Sequence, residues 1–124
     1  MFNQVLLYLA AFLVFAWGAA HLFPTRSVVR GFGEITADNK RIIAMEWIVE
    51  GAALIFIGAL IAAVTAVDRL SPAARAAYWL SVLMLNSLSV ISLFTGFKVN
   101  FVPFKLCPVI FTGASLLVLL GIIL

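Results

Sequence analysis

Charge is scarce in this chain. Of its 124 residues only 10% are Asp, Glu, Lys or Arg, against about 25% in a soluble domain. So little polar surface cannot cover a water-soluble globule, which excludes a soluble enzyme and a disordered chain alike. Cysteine is nearly absent: Cys107 stands alone and cannot close an internal bridge, so a secreted disulfide scaffold is excluded. Histidine is equally rare, with His21 the single one, and no paired-histidine metal motif of the H-E-x-x-H kind occurs. Gly31-Phe32-Gly33 lacks both the third glycine and the preceding strand of a dinucleotide fingerprint. There is no internal repeat.

What is abundant is apolar sequence. Hydrophobic residues make up 65% of the chain, and its mean hydropathy is +1.22. A membrane span needs about 20 mostly apolar residues, and four such stretches fill the chain, at about 2–23, 42–67, 76–97 and 106–124. Together they predict one integral membrane domain over residues 1–124. Its fold class is all-α, a four-transmembrane-helix antiparallel bundle with short loops. The first stretch lacks a basic n-region and is too long for a signal peptide, so it is read as retained.

Basic residues set the expected orientation. Arg26, Arg30, Lys40 and Arg41 fall between the first and second spans, and Lys98 and Lys105 between the third and fourth. Only Arg69 and Arg75 occupy the opposite side. Six against two predicts both termini outside an inner (cytoplasmic) membrane, with loops 24–41 and 98–105 cytoplasmic. The basic residues are dispersed and form no reader fold, so nucleic acid is not expected as a partner. Trp17 and Trp47 are expected near the basic side as interfacial aromatics, and Tyr78 and Trp79 near the other.

Local signals refine the picture. Pro24 should stop the first helix, Gly31-Phe32-Gly33 should turn, and Thr36 should cap a second helix beginning near Ala37. Asp68-Arg69-Leu70-Ser71-Pro72 reads as a tight turn. Residues 98–108 mix Phe with Lys and suit a segment lying on the membrane surface, rings in the acyl boundary. Gly51, Gly58 and Ala62, with Ser81, Ser89, Ser92 and Gly96, supply the small residues that helix packing in lipid requires.

Depth counting picks out the chemistry. Glu46 and Glu50 lie four apart on one helix face, near the basic-side boundary. His21, Thr95 and Cys107 fall at the same level, so four spans bring five capable side chains to one depth. This set admits several readings. In one, Glu46 pairs with Lys40, Arg41 or another basic residue of the loops, and Glu50 bonds to His21 or a hydroxyl, as plain interfacial structure. In another, the carboxylates and His21, with Trp17, Trp47 and Thr95 beside them, bind a small ligand or carry protons. His21, Glu50 and Cys107 are also competent metal or haem ligands. Nucleophilic catalysis has the least support, because no base is positioned beside Cys107. Asn86 and Ser87, near mid-membrane, read as interhelical hydrogen-bonding groups or as the lining of a passage.

The first span ending His21-Leu22-Phe23-Pro24, with the chain's length and helix count, resembles the DoxX-like family of small four-helix bacterial membrane proteins. The stretch Asp38-Asn39-Lys40-Arg41 through Met45-Glu46-Trp47-Ile48-Val49-Glu50-Gly51 resembles bacterial membrane proteins of unassigned activity. The DoxX-like resemblance implies an accessory, quinone-proximal role in a membrane oxidoreductase complex. It carries no catalytic residue onto this chain. Two functions are therefore compatible with the residues: a non-enzymatic membrane protein with a cytoplasmic-leaflet pocket for a ligand or protons, and an accessory redox subunit. No cofactor is required by the residues; quinone, haem and metal stay open. A bundle this small is expected to sit in the lipid bilayer as a homo-oligomer or inside a larger membrane complex.

Overall fold

A computed structural model describes residues 1–124. Five α-helices and one 3-10 turn make up the chain: α1 (Phe2–Leu22), α2 (Thr25–Gly31), α3 (Ala37–Asp68), α4 (Pro72–Phe94), the turn Gly96–Lys98, and α5 (Val102–Ile123). Four of these, α1, α3, α4 and α5, are long and apolar enough to cross a membrane. They form an all-α four-helix bundle, as the four apolar stretches predict, and the chain is an integral membrane protein. Helix α1 packs against α3 and α5, and α4 packs against α5 and, more lightly, α3.

Backbone chemistry fixes the ends. The Thr36 hydroxyl accepts from the Asn39 N–H at 3.2 Å and caps α3. At the opposite end the Asp68 carboxylate accepts from the Leu70 N–H at 3.0 Å, and Ser71 caps α4 through the Ala74 N–H at 3.1 Å. Pro72 occupies the first turn of α4, where a missing N–H costs nothing. The tight turn expected between these helices is therefore present.

Lipid gives apolar side chains no reason to leave it, so the helices are held by close contact and hydrogen bonds. Gly18 on α1 faces Gly51 and Leu54 on α3; a Cβ built on Gly18 would lie 2.8 Å from the Gly51 carbonyl oxygen. Gly58 faces α1 as closely, 2.6 Å from the Ala11 carbonyl oxygen by the same measure. Val14, Leu54, Leu85, Phe111 and Val118 fill the centre. Large apolar side chains such as Phe12, Phe56, Leu80 and Val109 point outwards, as lipid-facing positions require.

Three expectations need correction. Residues 24–40 are not a plain loop, because Thr25–Gly31 form α2, with the Thr25 hydroxyl bonded to the Leu22 carbonyl at 2.6 Å. So short a helix is stabilised by packing on α3 rather than by its own propensity. The fourth span starts at Val102 instead of Leu106, because a proline in the first helical turn is tolerated and Pro103 sits there. Tyr78 lies at the expected end, beside Arg69 and Arg75, but its ring turns inwards. It is buried in the bundle, and its hydroxyl lies 2.9 Å from that of Thr65, while Trp79 alone faces outwards.

Candidate functional site

The candidate site lies at the basic end of the bundle, where α1 ends, α3 begins its passage and α5 starts. Helix α3 has 32 residues, about 48 Å at about 1.5 Å each, against a hydrocarbon core of about 30 Å. Its first residues, with Asp38, Lys40 and Arg41, precede the apolar stretch that starts near Ile42, and α2 folds back against α3. Between α2, the N-terminal part of α3 and the start of α5 lies a cleft of about 930 Å³. Its lining is mostly apolar, with Phe32, Ile43, Trp47, Phe101 and Phe104 prominent, and Glu46 and Glu50 supply its charge. A second cavity of about 290 Å³ lies behind, lined by Trp17, His21, Trp47, Phe104 and Cys107 among others. Pro24, Trp47, Phe101 and Phe104 line both, so they form the boundary between the two.

His21 and Glu50 meet across α1 and α3, with Nε2 3.3 Å from the carboxylate oxygen. The contact is an ion-pair distance, but the ring N–H is not aimed at the oxygen, and Nε2 has no hydrogen-bond partner. The two side chains are unequal: His21 is 6% exposed and Glu50 41%. Glu50 therefore opens into the cleft while His21 stays behind it. Trp47 holds the histidine in place. Its ring stacks on the imidazole with centroids 3.9 Å apart, and its indole N–H donates to the His21 backbone carbonyl at 2.5 Å. Phe104 meets Trp47 edge-on at 5.5 Å, and Phe101 meets Phe104 at 5.7 Å.

Other expected members are distributed differently. Glu46 lines the cleft but pairs with no cation. The expected pairing with Lys40 or Arg41 does not form, because Arg41 turns to Asp38 at 3.2 Å. Thr95 is exposed, bonds its own helix at the Ile91 carbonyl at 2.6 Å, and takes no part in either cavity. Trp17 lines the smaller cavity beside Cys107, and its indole nitrogen is buried with no hydrogen-bond partner. The Cys107 thiol points back along α5 to the Pro103 carbonyl, 3.6 Å away. His21, Glu50 and Cys107 do not converge as a donor set, and no three His, Cys, Asp or Glu side chains come together to hold a metal ion.

At mid-membrane Asn86 bonds from α4 to the Ser115 hydroxyl of α5 at 2.7 Å, an interhelical role. Ser87 faces outwards and bonds the Leu83 carbonyl of its own helix at 2.9 Å. Phe101, the residue that precedes α5, and Phe104, in its first turn, both line the cleft. Their spacing of three brackets the start of α5, and the two rings meet edge-on across that first turn. Phe32, in the turn after α2, is a further member with no helical spacing to reveal it.

Comparison of the chain with protein-family models, with curated proteins and with solved structures gives no match. A functional reading of this protein therefore rests on the geometry of the site.

Proposed function

We propose that this protein is a non-enzymatic membrane protein that captures a small molecule in the cleft at its basic end. The observation that carries this reading is the union of a roomy, mostly apolar cleft with the Glu50–His21 pair at its inner wall. Small-molecule sites are concave, mostly apolar and furnished with a few polar groups, at volumes of roughly 300–1,000 Å³. By the distribution of Lys and Arg, the basic end is the cytoplasmic one and both termini are outside. Glu50 is the contact group, His21 its support from behind, and Trp47 the residue that fixes His21.

The test is chemical analysis of the protein purified gently from its own membrane. Mass spectrometry of the extract should find a small molecule in stoichiometric amount with the native chain and a reduced amount with Glu50→Gln, at unchanged helix content. Identical extracts from both proteins would overturn the reading.

A second reading rests on α4. Ser87 lies on its exposed side, bonded only within its own helix, and polar groups facing lipid are costly. A neighbouring helix of a partner, or of a second copy, would relieve that cost, in keeping with an accessory subunit of a DoxX-like redox complex. An absorption spectrum of the same native preparation distinguishes the two: haem or quinone bands that co-purify with another subunit favour the second.

A further inference from the structure

The cleft's charge is one-sided. Two carboxylates, Glu46 and Glu50, line it, and no Lys or Arg does, although six basic residues stand at this end of the molecule. Glu50 has His21 behind it, but Glu46 has no ionic partner at all. Four aromatic rings, Phe32, Trp47, Phe101 and Phe104, share the lining. Aromatic faces carry negative electrostatic potential and attract a cation within about 6 Å. We infer that the occupant of the cleft is a hydrophobic organic cation, a quaternary or primary ammonium or a phosphonium carrying an apolar body. This deepens the ligand-capture reading and rests on it.

The alternatives fail on charge. An anionic amphiphile would meet two carboxylates without a compensating cation. A neutral hydrocarbon would cover Glu46 and strip its water with nothing in exchange. An organic cation satisfies both halves of the lining: its charge lies between the carboxylates, which are i, i+4 neighbours, and its apolar groups lie on the rings. A quaternary or phosphonium centre is also large and weakly hydrated, so it gives up little on leaving water. Glu46 is accordingly the specificity-determining residue.

The test uses two ions of one shape and opposite charge, tetraphenylphosphonium and tetraphenylborate, with neutral dodecanol as a third probe. Each is titrated against the full chain in dodecyl maltoside micelles, with tryptophan emission as the signal. Tetraphenylphosphonium should bind saturably and tetraphenylborate should not. Glu46→Gln should weaken the phosphonium by about tenfold, and Glu46→Arg should reverse the preference, both at native helix content. Glu46 is exposed, so neither change threatens folding. Saturable binding of tetraphenylborate or dodecanol instead, or phosphonium binding unchanged in Glu46→Gln, overturns the cation class and leaves ligand capture standing. Binding of none of the three overturns both. Repeating the titration in phosphatidylglycerol bilayers with and without phosphatidylethanolamine separates the two sources of the ammonium group that the cleft would hold. Competition by the ethanolamine lipid identifies a lipid headgroup, and indifference identifies a free solute.

Discussion

Trp47 and His21 are joined twice, once ring on ring and once from the indole N–H to the histidine's own backbone carbonyl. The first contact orients the imidazole. The second ties α3 to the last turn of α1, where a helix leaves its carbonyls without donors. A single side chain thus closes a helix end and positions the group behind Glu50.

Separating those two contacts is straightforward. Trp47→Phe should keep a ring on His21 and lose the hydrogen bond, at a cost of about 1 kcal/mol. Trp47→Ala should lose both and cost about 3–5 kcal/mol. Reversible unfolding in mixed micelles measures each value. Equal costs for the two variants would show that the indole N–H contributes most of the effect.

The α1–α3 contact depends on missing side chains. Gly58→Ala would place a methyl 2.6–2.7 Å from backbone atoms of α1, and should destabilise the protein by about 1–3 kcal/mol. Gly113 on α5 has open space around it, so Gly113→Ala should be neutral or slightly stabilising through helix propensity. The same unfolding assay compares them directly.

Thr65 and Tyr78 form a buried hydroxyl pair between α3 and α4. Interhelical bonds of this kind contribute about 0.6 kcal/mol in membrane proteins. A double-mutant cycle with Thr65→Ala and Tyr78→Phe should return a coupling of that size. A coupling of zero would mean that Thr65 is satisfied by its bond to the Ile61 carbonyl alone.

Orientation is checked by labelling. In a Cys107→Ser background, Ser27→Cys should react with a membrane-impermeant maleimide only after the cytoplasmic side is opened. Ser71→Cys, at the opposite end, should react in intact spheroplasts. The reverse pattern would invert the assignment of sides. In the unmodified protein Cys107 is buried and should react slowly until the bundle is unfolded.

The spans are legible in the residues because each is an apolar run of membrane length, and the α3–α4 turn because Asp68, Ser71 and Pro72 each have one favourable role there. The seven residues of α2 are not, since Ser27, Val28 and Val29 are poor helix formers and only packing on α3 settles them. Depth counting correctly brings His21 and Glu50 together, since rise per residue fixes height along a straight helix. It fails for Thr95 because height says nothing about azimuth: Thr95 ends α4 pointing away from the cavities. The aromatic wall escapes for a related reason. Phe and Lys interleaved over 97–105 fit a surface segment as well as the first turn of a helix, and tertiary contact with Trp47 decides between them.

A cleft built on the N-terminal part of α3, where the apolar span begins, would open near headgroup height, and a solute dissolved in the leaflet would enter it sideways. For such a solute the relevant concentration is the one in the lipid, which exceeds the bulk value by its partition coefficient. A site of modest intrinsic affinity would then fill at low aqueous doses. Apparent affinity would track lipid volume in the assay, and compounds would be ranked as much by how they enter the membrane as by how they fit the protein.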